Sequence, residues 1–245
     1  NAFGLKTEKL YEILDLIAYY FPECEGINMD ATVTSILHKS QEELEMFARK
    51  KVKHLYLGIE SGLDDVLKFM KKDHDLAQAY QAIDRLHEAG LIYDAHIMTG
   101  VAGKGRGMEN AEALAQFLNR TNPAHVVNFS MFLHKEVPLY QDIRQGTFVP
   151  ADELETIREE YHLIERIAPE KVGANILYDG FHDFIHVRVR GHLPGDKEKM
   201  LAKLNGIIQE YEGKEPVYSF VQGECPNLEY CDDGKAVWDM DRKTS

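Results

Sequence analysis

A glutamate that closes an apolar run and precedes a serine and a glycine, Glu60-Ser61-Gly62, is where this chain of 245 residues points most directly at ligand chemistry. A carboxylate at the end of a buried strand accepts hydrogen bonds from hydroxyls or an ammonium in a partly dry cleft. The same residues suit a helix start near Leu63 with Ser61 as N-cap, and spacing alone leaves both readings open. A second candidate is the turn from Gly100 to Gly107, with glycines at 100, 103, 105 and 107. Between a strand and a helix its backbone N–H groups could cradle a phosphate or carboxylate. It lacks the Lys-Ser/Thr ending of a P-loop, and Met108 stands where a dinucleotide fingerprint counted from Gly103 needs its last glycine, so a plain connection is favoured. His96 falls inside an apolar run, where parity with Met98 and Gly100 decides which face it takes. His182 and His186 are four apart without a third strong ligand beside them, and Cys225 and Cys231 are separated by five residues, so neither pair is read as a metal site.

These residues need a scaffold, and the hydrophobic spacing supplies one. Leu10, Ile13, Leu14 and Ile17 recur at helical spacing from Thr7 until Pro22. Gly26 to Ile36 reads as a strand around Val33, and Ser40 with Glu43 forms a capping box that opens the next helix. His54 to Ile59 is a strand, Leu63 to Lys71 and Leu76 to Ala89 are helices with Gly90 as a C-cap, and Ile92 to Met98 is a strand. A helix over Met108 to Leu118 and a strand over His125 to Leu133 complete the alternation. Strands and helices in this rhythm predict right-handed βαβ units and a parallel sheet, here of four strands. Ligands bind at the carboxyl ends of such strands, which places Thr34-Ser35, Glu60-Ser61-Gly62, Thr99-Gly100 and His134-Lys135 at one end. Beyond Pro138 the rhythm changes. Leu154, Ile157, Tyr161 and Ile164 mark a long helix, one or two strands fit around Gly180, and Lys197 to Tyr211 is an amphipathic helix. The expected division is a barrel-like unit over residues 1–168 and an extension over residues 169–245.

With 41 acidic and 28 basic residues the formal charge is −13, which repels a phosphate backbone. Lys50-Lys51-Val52-Lys53 and Lys71-Lys72 fall at helix ends, where cations complement the carbonyl dipole, so no nucleic-acid partner is expected. No apolar stretch is long enough to span a bilayer, and no secretory signal opens the chain. Three scattered cysteines, Cys24, Cys225 and Cys231, suit a reducing cytoplasm. The chain opens on Asn1 rather than methionine, which is read as the loss of an upstream segment.

Leu55-Tyr56-Leu57-Gly58-Ile59-Glu60-Ser61-Gly62, then Asp65 to Lys72, then Ala89-Gly90 resembles the radical S-adenosylmethionine (SAM) superfamily. The likeness is to the core of its methylthiotransferase-like and anaerobic coproporphyrinogen-oxidase-like members. Ile97-Met98-Thr99-Gly100-Val101-Ala102-Gly103 is similar to that family's fifth-strand glycine motif. Asn128 to Leu139, ending in Val137-Pro138-Leu139-Tyr140, is similar to its sixth strand and following turn, with Lys135-Glu136-Val137 departing from the pattern. Gly191 to Lys197 is similar to a segment of some family members. The resemblance runs from about Lys6 to Ile167.

The resemblance implies an α/β fold, a partial (β/α) barrel whose four strands are the third to sixth of six, with a C-terminal α/β extension. It implies a parent enzyme that cleaves SAM reductively at a [4Fe–4S] cluster, an iron–sulfur oxidoreductase reduced by a flavodoxin or ferredoxin and acting on an unidentified small molecule. The CxxxCxxC loop that holds the cluster is not among these 245 residues, so the chain alone is expected to carry no cluster and no activity. Carried over by motif, Glu60 and Ser61 face the ribose or methionine end of SAM, Gly100 the adenine, and Phe132 and Leu133 the adenine edge, with His96 ranked lower. A non-redox ligand-binding or protein-interaction module on the same scaffold is the alternative. Two further expectations follow. Glu60 should lie at the mouth of the largest polar cleft with Ser61 and Gly100 in reach of one ligand, and the open edge of the first strand should self-associate or be covered by the extension.

Overall fold

The computed structural model describes residues 2–220. After a 3-10 turn at Ala2–Gly4, helix α1 (Thr7–Tyr20) leads to β1 (Ile27–Ala31), α2 (Val33–Leu37), α3 (Gln41–Arg49) and β2 (Val52–Glu60). Then come α4 (Asp64–Phe69), α5 (Leu76–Glu88), β3 (Ile92–Thr99), α6 (Gly107–Thr121) and β4 (His125–Ser130). The remainder is α7 (Leu139–Gln145), α8 (Glu153–Arg166), β5 (Ile176–His182), β6 (Val187–Leu193) and α9 (Lys197–Tyr211). The strands form one sheet in sequential order, β1 to β6, parallel from β1 to β5 and antiparallel at β6.

The sheet therefore holds the four expected parallel strands and, in the same sheet, the two strands around Gly180, one parallel and one antiparallel. A Cβ at Gly180 would collide with the carboxylate of Glu160, so the strand is kept and only its side chain is forbidden. β5 and β6 lie beyond residue 168 and continue the same sheet on the far side of β4. The C-terminal strands thus leave β1 at the opposite edge, and among the described residues they do not cover it.

The first expected strand is also shorter. It ends at Ala31, because the Thr32 side chain accepts the Ser35 N–H while Ser35 Oγ accepts the Thr32 N–H, a reciprocal cap that starts α2 at Val33. The β-branched run at 32–34 is overruled by that cap, so Thr34 and Ser35 belong to a helix rather than to a strand end. The Ser40–Glu43 box forms as read, and Asp75 with Gln78 forms another at α5.

Parity divides the sheet's two faces. Leu55, Leu57 and Ile59 of β2, with Ala95 and Ile97 of β3, are fully buried in one continuous core with Phe47, Ile83, Leu86, Leu114 and Ile157 from the helices. Their neighbours Tyr56, Gly58, His96 and Met98 face the other way and are only half-buried. A smaller apolar cluster at the carboxyl end joins Val66, Val101, Met131, Leu133 and Phe148 and receives Met98. Among the described residues no helix is long and apolar enough to cross a membrane.

Candidate functional site at the carboxyl ends of the strands

Glu60 is the last residue of β2, and the pairing with β3 slips by one between Gly58 and Glu60. Its φ is 63°, in the left-handed region that costs a non-glycine residue energy and marks sites held by their surroundings. The slip returns the carboxylate over Gly58, where a Cβ would stand 2.6 Å from Glu60 Oε1 and 3.3 Å from Lys72 Nζ. Lys72 Nζ donates to Oε1 at 3.2 Å, and the two side chains are 26% and 25% exposed for Lys72 and Glu60. A carboxylate and an ammonium are thus displayed side by side on the half-open face. From sequence Lys72 is only a helix-end charge, because its twelve-residue separation from Glu60 carries no local signal.

The helix-cap reading of this corner is met by Ser61, not Glu60. Leu63 is the N-cap of α4 and makes no side-chain cap, while Ser61 Oγ accepts the Leu63 N–H at 3.1 Å. Ser61 is fully buried and donates to Asn110 Oδ1 at 2.6 Å, so its hydroxyl does not reach a ligand shared with Glu60. Gly100 is likewise committed internally. Its N–H donates to Glu159 Oε2 at 2.8 Å, and a Cβ would stand 2.8 Å from Thr156 Cγ2, so its close approach is to α8. The N–H groups of Gly103, Lys104, Gly105 and Arg106 go to Gly100 O, Val149 O, Glu155 and Gly103 O, which makes the glycine turn a connection and leaves no anion cradle there.

Behind the corner, α8 drives three carboxylates into the core. Glu159 Oε1 accepts from Asn110 Nδ2 at 2.7 Å, and Glu160 Oε1 accepts from Asn128 Nδ2 and Tyr178 OH, each at 3.0 Å. His182 is held between Glu153 Oε2 and Glu160 Oε2, 3.0 Å on each side. Burial pushes the Glu159 carboxyl up to about 8, against the pull of the Asn110 and Gly100 donors. Burial opposes charge on His182, but Glu160 and Glu153 outweigh it and raise the imidazole to about 10. Sequence reading missed this group. The signal was present in α8, where Glu153 and Glu160 share a stripe with Ile157 and Ile164. Both nitrogens of His182 are engaged by carboxylates, and His186 lies in the β5–β6 turn with φ 55°, so the two histidines form no shared site.

His96 takes the half-open face. Its ring lies 5.4 Å from Tyr56 and 6.0 Å from Phe129, and Phe129 stacks on Phe181 at 5.7 Å. Lower on that face His54 Nδ1 meets Asp94 at 2.7 Å. Leu133 is buried in the cluster that holds Met98, whereas Phe132 is 55% exposed. The structure thus brings Glu60, His96, Met98 and Leu133 to one end and face, turns Ser61 and Gly100 into internal supports, and leaves Phe132 at the surface. A cavity of about 370 Å³ lies at this end, lined by Val66, Phe69, Val101, Lys104 and Phe148, and a larger one of about 650 Å³ opens at the amino end beside Tyr93, Arg120 and Lys171. Glu60 lines neither of these two.

The donors for an iron–sulfur cluster do not fit. Three thiolates must converge on one cluster, and the chain has three cysteines in all. Cys24 precedes β1 at the amino end of the sheet, with Sγ directed to the Gly26 carbonyl at 3.4 Å, opposite the end that carries Glu60. Cys225 and Cys231 lie outside the described residues, and two thiols are one short. Among the described residues no group of three His, Cys, Asp or Glu is placed to hold a metal ion.

Known proteins resemble this chain in sequence and in fold. A "tRNA uridine(34) acetyltransferase" of Methanocaldococcus infernus is 25% identical over 119 residues, covering 48% of this chain and 22% of that protein. The solved structure of the archaeal Methanocaldococcus infernus Elp3 with an N-terminal deletion superposes with a TM-score of 0.56 at 17% identity, over 76% of this chain and 42% of that one, which shows a shared fold. Methylornithine synthase gives a TM-score of 0.48 at 15% identity, over 82% and 63% of the two chains. The chain spans less than a quarter of the length of that curated relative. The profile described as the Radical SAM superfamily matches residues 4–118, a segment that runs from the first turn through α6 and contains Glu60, Lys72, His96 and Gly100. Residues 4–118 of this chain match the model of the Radical SAM superfamily.

Proposed function

We propose that this chain forms the SAM-orienting wall of a radical SAM enzyme and binds the nucleoside-amino acid without cleaving it on its own. The observation that carries this reading is the Glu60–Lys72 pair, held over Gly58 at the carboxyl end of the sheet and partly open to solvent. A carboxylate there accepts from ribose hydroxyls or the methionyl ammonium, and an ammonium beside it donates to the methionyl carboxylate, so the pair matches a ligand that carries both kinds of group. Met98 and Leu133 supply apolar surface, and His96 borders them on the same face. Calorimetric titration of the chain with SAM tests the proposal. Glu60→Ala and Lys72→Ala should each weaken binding by about tenfold, the scale of one lost charge-assisted hydrogen bond. Affinity unchanged in both variants would refute the assignment.

A further inference from the structure

Glu159 touches neither Glu60 nor the open face, yet its two oxygens hold both loops that border the site. Oε2 accepts the Gly100 N–H at 2.8 Å, after β3. Oε1 accepts Asn110 Nδ2 at 2.7 Å, and Asn110 Oδ1 in turn accepts Ser61 Oγ at 2.6 Å and the Gly62 N–H at 3.3 Å, after β2. Glu159 is 1% exposed, and Asn110 and Ser61 are fully buried, so water cannot replace a lost partner. Gly62 is pressed against α6, where a Cβ would overlap the backbone of Ala113 and Leu114. The residue before Ser61 is Glu60, held at φ 63°.

We propose that Glu159 and Asn110 are positioning residues, a two-link relay from α8 through α6 that fixes the corner after β2 and so sets the Glu60 carboxylate over Gly58. With Glu159 ionised, as it is above its raised value of about 8, the direction of every bond is forced. Backbone N–H groups sit at both ends, so the relay needs an acceptor-only group at one link and an amide at the other. Carboxylate at 159 with amide at 110 satisfies this. So does the reverse arrangement, because an amide at 159 can accept from Gly100 and donate to a carboxylate at 110, which still accepts from Ser61 and Gly62. Glu159→Gln alone leaves two amides, one too few acceptors, and strands a buried donor.

The proposal rests on the ligand reading of Glu60 for its consequence but not for its test. The Glu60 side-chain carboxyl and the Gly58 and Gly62 amides are followed by NMR in the full chain. Above pH 8, where Glu159 is ionised, these resonances should move in Glu159→Gln and in Asn110→Asp, and in the double variant Glu159→Gln, Asn110→Asp they should return towards wild type. Resonances unmoved in the single variants, or a double variant no closer to wild type than either single, would overturn the relay. SAM affinity is then measured in the same series. It should fall about tenfold in the single variants, the cost of one unpaired buried group, and recover in the double variant. A wild-type chain that binds no SAM would sink the ligand reading while the resonances still decide the positioning of Glu60.

Discussion

His182 sits fully buried between two carboxylates and is raised to about 10 from an ordinary value of 6.5. A group whose folded value lies above its unfolded one binds more protons when folded. Its stabilisation is complete below pH 6.5 and is lost as pH rises through 10, at up to about 1.4 kcal/mol per pH unit. Glu159, raised to about 8, adds a loss in the same direction that begins at lower pH. The melting temperature should therefore fall between pH 7 and 10, and His182→Gln should flatten that slope; a flat profile in the unmodified chain would show that these groups do not titrate as the geometry demands. At this scale the site was half legible. Glu60 announces itself as a carboxylate at the end of an apolar run. Lys72 does not, because its role comes from a chain reversal between α4 and α5 that brings it back to β2.

Helix and strand boundaries follow local chemistry where caps are explicit, as at Ser40–Glu43, and depart from propensity where a cap overrules it, as at Thr32–Ser35. β5 was legible only as a strand of uncertain extent, because its Gly180 exists to admit Glu160 of α8, a contact between residues twenty apart that no window on the sequence contains. The same logic gives a paired prediction for two glycines in or beside helices. Gly62→Ala overlaps the backbone of α6 and should destabilise by about 1–3 kcal/mol, the usual cost of overpacking. Gly206→Ala, in α9 with nothing within 4 Å of the added carbon, should stabilise by about 0.5–1 kcal/mol through helix propensity. Thermal unfolding reads both, at roughly 2–4 °C per kcal/mol for a chain of this size. Equal shifts of the same sign would contradict the packing of the corner against α6.

At the scale of the molecule, the sequence alternation predicted the class of fold and the order of its first four strands, while the strands beyond them depended on long-range pairing that periodicity does not record. The sheet orders its ends unequally. Glu60, Lys72, His96 and Met98 gather at the carboxyl end, while Cys24 lies at the amino end. Anaerobic reconstitution of the chain with iron and sulfide should accordingly give no stoichiometric [4Fe–4S] cluster by visible absorbance, and a stoichiometric cluster with release of 5′-deoxyadenosine would overturn the thiolate count. The central claim is that SAM binds at the Glu60 end of the half-open face, and Met98 reports on it. Met98 shares that face on the next strand, while Met200 packs behind the sheet against Gly191. In a chain labelled with ¹³C at the methionine methyls, SAM should shift the Met98 signal, leave Met200 in place, and lose its effect on Met98 in Glu60→Ala. A Met98 signal that stays still at saturating SAM, or that shifts equally without the Glu60 carboxylate, would contradict it.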